Sequence, residues 1–242
     1  MANAFLKLGL AGARGGMGRT VAALVADRND IALVSAYGRV DQTQHALAEC
    51  EVIIDFSTAE AAASLAARAG AQGRPALVIG ATGFTAAQDQ TIKDASRRVA
   101  IIKSGNFSLG INLLAALVEQ AADRLGPEDW DIEILEAHHR RKADAPSGTA
   151  LMLGDAAARG RGAAVADRKP GARVGGTIGF ASLRAGGIVG EHQVLIASED
   201  EIITLGHSAR DRAVFAKGAL AAALWVSGRP PGLYGMNDVL GF

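Results

Sequence analysis

The sequence predicts an α/β protein: a Rossmann-like, doubly wound parallel sheet, joined to a second α+β domain with a mostly antiparallel, mixed sheet. Three observations predict it. From residue 5 to about 105, short β-rich apolar runs alternate with Ala-rich helical stretches at the spacing of βαβ units. The first strand gives way to the first helix through a turn crowded with glycines. Beyond residue 109 the alternation lapses, and strand-like runs follow one another with short turns between them.

The elements justify themselves in order. "FLKLGLAG" leads into the helical "GMGRTVAALVADR", and "IALVSAYG" follows as the second strand. Next come "VIIDFST", the helical "AEAAASLAARAGAQG", "ALVIGATG", the helical "TAAQDQTIKDASRR" and "VAIIKSGNF". A helix from Leu109 to Leu125 ends at "GPEDW", and "DIEILEAHH" reads as a strand. "SGTALMLGDAAARG" reads as a helix with Ser147 as its N-cap. Gly- and charge-rich residues 159–176 read as an exposed loop, followed by a meander of "TIGFASLRAGG", "EHQVLIAS" and "EIITLGHSA". The helical "AVFAKGALAAALWVSG" stops at "RPPG", and its apolar face predicts packing back on the first domain. The expected division is residues 1–108 with 211–242 as a dinucleotide-binding domain, and 109–210 as a substrate-binding and oligomerisation domain.

Composition excludes several classes. The 242 residues carry 25 Lys plus Arg against 25 Asp plus Glu, so no global field attracts nucleic acid or anionic lipid, and any anion site must be local. Cys50 is the lone cysteine, which rules out an intramolecular disulfide framework and fits a reducing, cytoplasmic location. The first residues lack the layout of a signal peptide, and no apolar run reaches membrane-spanning length.

"GLAGARGGMGR" spaces Gly12, Gly15 and Gly18 as G-x-x-G-x-x-G at the first strand-to-helix turn. Glycines let the backbone approach a pyrophosphate, while free N–H groups at the helix start attract the anion. The competing reading is a glycine turn with no ligand. An NAD-preferring domain usually offers an acid at the end of its second strand; here "SAYGRV" offers Gly38 and then Arg39, a cation suited to a 2′-phosphate. That pattern predicts NADPH as the preferred cofactor, with NADH possible, against the alternative of a solvated surface arginine.

The stretch "EAHHRRKADAPSGTA", residues 136–150, concentrates His138, His139, Arg140, Arg141 and Lys142 at one strand end. Ser147, Gly148 and Thr149 begin a helix directly afterwards, and its N–H groups with the Thr149 hydroxyl make a carboxylate seat. Two anion sites this close suit a small dicarboxylate; a solvated basic loop is the alternative. Adjacent histidines on a strand face opposite ways, so no metal site is expected.

That stretch is similar to the signature E-x-H-H-x-x-K-x-D-x-P-S-G-T-A of the dihydrodipicolinate reductase family, also called 4-hydroxy-tetrahydrodipicolinate reductases. The resemblance extends through "GARGGMGR", "VIIDFST", "GATGF", "SGNFSLGIN", "GGTIGFASLRAGGIVGEH", "GHSARDRAVFAKGALAAALW" and "LYGMNDVL". It implies reduction of a cyclic imine dicarboxylate on the diaminopimelate route to lysine: hydride goes to ring carbon 4, and the neighbouring carbon is then protonated. It implies His138 and Lys142 as the catalytic pair, and His139, Gly148 and Thr149 as substrate-carboxylate contacts. It implies a cofactor cradle of Gly12, Ala13, Arg14, Gly15, Gly16 and Met17, with Arg39, Gly80, Ala81, Thr82, Ser104, Gly105, Asn106 and Phe107. A cytoplasmic homotetramer is implied as well.

Two departures bear on the cofactor. Gly16 stands where the family commonly has arginine, with Arg14 two residues earlier, and Gly38 stands where many members have an acid. The segment from Arg39 to Glu51 is short, with room for one or two helical turns. Asp55 reads as a loop cap or a cofactor contact, and His45, His192 and His207 read as structural or surface positions. An amino-acid dehydrogenase such as aspartate dehydrogenase, or a non-catalytic dinucleotide sensor, are the competing functions.

Overall fold

A computed structural model describes residues 5–38, 43–162 and 173–242. The chain divides into two compact units, Met1–Leu109 with Ala213–Phe242, and Gly110–Arg212.

The first unit is a six-stranded sheet of β1 (Leu6–Ala11), β2 (Ile31–Tyr37), β3 (Val52–Asp55), β4 (Ala76–Ile79), β5 (Ala100–Lys103) and β10 (Gly232–Tyr234). The spatial order is β10-β5-β4-β3-β1-β2, and every pair is parallel. Strand β3 is buried along its whole length, as the continuous apolar run of "VIID" requires, and its neighbours β1 and β4 are buried at all but one residue each. The crossovers are α1 (Gly16–Ala26), α2 (Thr43–Glu49), α3 (Ala59–Gln72) and α4 (Ala86–Ser96). Thr58 caps α3 by accepting from the Ala61 N–H, and Gly73, in the left-handed region, ends it. Thr85 and Gln88 form a capping box on α4. The seven residues of α2 are the two turns that the short Arg39–Glu51 segment allows.

Helix α7 (Ala213–Val226) packs in this first unit, where Ala216, Ala219, Leu220, Ala222, Ala223 and Val226 join Val21 and Val25 of α1 in one core. The sequence pattern ended with this helix. The structure adds β10, paired with β5 at the sheet edge, and α8 (Met236–Leu240). Three residues after a Pro-Pro turn are too few to show a period of two.

The second unit is built on β6 (Asp131–His138), β7 (Ile178–Arg184), β8 (Glu191–Ala197) and β9 (Ile202–Ser208), with α5 (Leu109–Arg124) and α6 (Gly148–Arg161). One sheet face, carrying Ile132, Ile134, Ile178, Val194 and Ile196, is covered by Ile111, Leu114 and Val118 of α5 and Ala150, Leu153, Ala156 and Ala157 of α6. The expected meander is corrected. The strand order is β7-β6-β8-β9, with β7 parallel to β6 and only β8 and β9 forming a consecutive antiparallel pair. The reason lies in α6: a strand, a helix and a strand in succession form a βαβ unit, which returns the chain parallel to its start. The expected loop over 159–176 begins later than predicted, because α6 continues to Arg161 before Gly162 ends it; residues 163–172 lie outside the described residues.

Candidate active site

In the first unit the predicted cofactor residues share one edge. The Gly12–Met17 loop follows β1, Gly80–Thr82 follows β4, and Ser104–Phe107 follows β5, all at the C-terminal ends of parallel neighbours. Strand order reverses direction between β1 and β3, the place where open α/β sheets bind ligands. Backbone hydrogen bonds step across this edge: Ala13 N–H donates to the Tyr37 carbonyl (3.1 Å), Phe56 to Ala11 (3.1 Å), Gly80 to Asp55 (2.8 Å) and Ser104 to Ile79 (3.1 Å).

The glycines here are required by space. Gly12 has φ +75°, and a Cβ on it would lie 2.5 Å from the Phe56 carbonyl oxygen. On Gly18 a Cβ would lie 2.3 Å from the Gly12 carbonyl oxygen. Helix α1 begins at Gly15 without a side-chain cap and without an acid in its first turn, which leaves its amino end suited to an anion. A Cβ on Gly16 would meet nothing within 4 Å. Arg14 crosses to the end of β2, where a Cβ on Gly38 would lie 3.2 Å from its Cδ. Arg39 lies outside the described residues.

Asp55 acts as the loop cap. Its carboxylate accepts from the Ser57 N–H (2.7 Å) and hydroxyl (2.5 Å), and burial raises its pKa against those bonds. Ser104 donates its hydroxyl to the Asn106 carbonyl (2.7 Å), which shapes the loop before buried Phe107. Phe56 was not singled out from the sequence. Its ring fills the space that a Cβ on Gly80 would need and meets Phe107 edge to face at 5.9 Å.

In the second unit β6 delivers His138 as its last residue, and residues 139–142 form a turn rather than an extension of the strand. Lys142 N–H donates to the His139 carbonyl (3.1 Å), and Arg140 N–H to the Gly186 carbonyl (3.2 Å). Lys142 is half-buried and ion-paired with exposed Asp144 at 2.7 Å. Arg140 and Arg141 are exposed. Ser147 caps α6 by accepting from the Ala150 N–H (3.1 Å), so Gly148 and Thr149 are its first two residues, as the sequence predicts. His139 Nδ1 is buried with no hydrogen-bond partner among the described residues.

Beneath His138 lies a charged cluster that the sequence reading passed over. Glu136, with its side chain fully buried, accepts from both terminal nitrogens of Arg184 (2.8 and 2.7 Å), from the Ser147 N–H (3.3 Å), and meets His138 Nδ1 at 2.5 Å. Burial pushes the Glu136 pKa up, but hydrogen bonds from Arg184, Ser182 and His138 outweigh it and bring it to about 2. His192 is buried against the His138 ring, centroids 5.1 Å apart, and shares a hydrogen bond of 3.1 Å with the Ser147 hydroxyl. Burial first, then His138, lowers the His192 pKa to about 4. The signal for this cluster was alternation: Ile132, Ile134, Glu136 and His138 occupy one face of β6, and His192, Val194 and Ile196 continue it on β8.

Two family models match: "Dihydrodipicolinate reductase, N-terminus" over residues 6–107, and "Dihydrodipicolinate reductase, C-terminus" over residues 110–240. The chain belongs to the dihydrodipicolinate reductase family. Among its relatives, 4-hydroxy-tetrahydrodipicolinate reductase of Caulobacter vibrioides is 52% identical, with 98% of each chain covered. The protein of the same name from Sinorhizobium medicae is 44% identical over 100% of this chain and 99% of its own. A dihydrodipicolinate reductase of Paenisporosarcina sp. TG-14, solved with dipicolinate bound, shares the fold with a TM-score of 0.81 at 22% identity, covering 97% and 98% of the two chains. As a member of this reductase family the chain is an oxidoreductase that uses a nicotinamide dinucleotide. Among the described residues no helix is long and apolar enough to cross a membrane.

Proposed function

We propose that this chain reduces 4-hydroxy-tetrahydrodipicolinate, with loss of the 4-hydroxyl as water, to tetrahydrodipicolinate on the diaminopimelate route to lysine, in the cytoplasm. The observation that carries the reading is the turn that puts His138, Lys142 and the capped start of α6 together, in a chain aligned over nearly its full length with relatives of that name. A non-catalytic sensor has no use for such a proton-bearing turn. An amino-acid dehydrogenase accounts for the first unit but not for the full "HHRRKADAPSGTA" string.

The first unit fits a dinucleotide. Gly12 and Gly18 leave no room for a side chain, the helix start is uncapped, and the loops after β4 and β5 share the edge. Gly12, Ala13, Arg14, Gly15, Gly16 and Met17 would hold the pyrophosphate, with Gly80, Ala81, Thr82, Ser104, Gly105, Asn106 and Phe107 lining the remainder. When bound, the dinucleotide supplies the hydride for ring carbon 4. The protein's own part is to seat the two carboxylates and to move a proton. His139, Gly148 and Thr149 receive the carboxylates, where a helix N-terminus favours negative charge. Lys142 donates the proton to the neighbouring ring carbon, and His138 assists as a general acid–base group.

NADPH is the preferred cofactor in this account. Gly38 supplies no carboxylate to bond a ribose hydroxyl, and Arg14 reaches the space beside it, so a cation serves the 2′-phosphate from this side as well as from Arg39. A homotetramer is part of this reading; on the outer face of the second sheet, Leu183 of β7 and Ile202 of β9 are 53% and 64% exposed, at opposite corners.

The test follows the absorbance of NADPH, then NADH, while the cyclic substrate is generated from pyruvate and aspartate semialdehyde by a coupled synthase. Oxidation should require the synthase product, with kcat/KM higher for NADPH by about tenfold or more. Folded protein that oxidises neither cofactor contradicts the reaction, and a ratio favouring NADH contradicts the Gly38 and Arg14 argument alone.

A further inference from the structure

The His138 ring is hydrogen-bonded at Nδ1 and packed edge to face against His192. Glu136 Oε2 lies 2.5 Å from its Nδ1, and the opposite nitrogen, Nε2, faces Gly190, where a Cβ would come within 3.1 Å. Glu136 itself cannot turn. Arg184 grips both carboxylate oxygens, and the Ser147 N–H points at one of them. Arg184 also donates to the Asp144 carbonyl (2.6 Å), the residue whose side chain pairs with Lys142. One guanidinium therefore ties the histidine's anchor to the turn that carries the lysine.

We propose that Glu136, clamped by Arg184, is a positioning residue that fixes His138 with its proton on Nδ1 and leaves Nε2 as the working nitrogen. An ionised carboxylate only accepts hydrogen bonds, so the ring nitrogen that faces it must carry the hydrogen. In the neutral ring Nε2 is then a free acceptor, and a proton taken up there is the one available for transfer. The inference rests on the role given to His138 above.

The titratable and charged groups of this cluster are Glu136 on the ring's own strand, Arg184 on β7 and His192 on β8, while His207 on β9 and Lys142 in the turn act on His192. Arg184 holds Glu136 by both carboxylate oxygens, so the anchor that orients the imidazole is itself fixed. His192, with its depressed pKa, stays neutral near pH 7 and does not compete as a proton store.

The experiment is the Glu136→Gln variant with 15N-labelled histidine. An amide can accept from Nδ1–H or donate to a bare Nδ1, so the lock is lost while size is kept. In the parent protein the neutral His138 ring should show one protonated nitrogen, Nδ1. In E136Q both tautomers should appear, with Nε2–H in excess and the ring freed from its anchored orientation, so that kcat falls on the order of 100-fold with KM changed by less than about threefold. Because E136Q leaves the Arg184 charge without its partner, the double variant E136Q/R184Q is measured beside it, with the same two changes expected. A single Nδ1–H tautomer in folded variant, or mixed tautomers with kcat within about twofold of the parent while His138→Gln is slow, overturns the proposal. Full turnover in His138→Gln with mixed tautomers in E136Q overturns instead the role given to His138, and leaves the lock standing.

Discussion

The cofactor edge of the first unit and the basic turn of the second are made of different material. The edge of the first sheet is backbone: glycines at 12 and 18 with no space for a methyl group, an uncapped helix start, and loops stitched by carbonyl-to-amide bonds. The basic turn of the second sheet is made of side chains, with an ion pair buried under a histidine and a second histidine packed on it. Binding a polyanion needs directed N–H groups, which any sequence of small residues supplies. Moving a proton needs groups whose charge is set by their neighbours. The buried carboxylates mark the difference. Burial raises Asp55 in the first unit, so acid relieves a cost there, whereas Glu136 in the second is held ionised to about pH 2, so acid removes a contribution.

The first unit should therefore be intolerant of added atoms. Gly12→Ala places a Cβ against the Phe56 carbonyl in a backbone region that alanine avoids, and should weaken NADPH binding by about 100-fold or more while costing several kcal/mol of stability. Titration calorimetry with a denaturant curve reads both, and wild-type affinity in G12A would show that the loop does not hold the cofactor.

The second unit should be the acid-sensitive one. The folded pKa of His192 lies below its ordinary value, so unfolding takes up a proton that the folded chain refuses. That contribution is whole above about pH 6.5 and is lost as pH falls through about 4, for roughly 3 kcal/mol in total. Glu136 follows the same sign, losing its contribution between about pH 4.5 and 2. His192→Asn should flatten the change in urea midpoint between about pH 7 and 4.5. A midpoint that still falls as steeply as in the parent would place the acid sensitivity elsewhere.

Local chemistry was legible in the sequence; partners far apart along the chain were not. The G-x-x-G-x-x-G turn, the Ser147 cap and the apolar face of α7 each show within a few residues. Alternation alone places Glu136 and His138 on one face of β6, but it cannot say that Arg184, 48 residues on, closes over them. That follows from β7 lying parallel to β6, with His138 opposite Arg184 in register. Arg14 beside Gly38 and Phe56 over Gly80 likewise depend on strands meeting in space. Arg39, the residue on which the cofactor argument first rested, lies outside the described residues, and Arg14 carries that argument instead.

We propose that the first unit holds the dinucleotide while the second does the proton chemistry. Lys142→Ala tests it most directly, with kcat and the NADPH dissociation constant measured on the same preparation. The account predicts a loss in kcat of about 1,000-fold with NADPH affinity within about twofold of the parent. Near-normal turnover, or affinity falling in step with turnover, would contradict it.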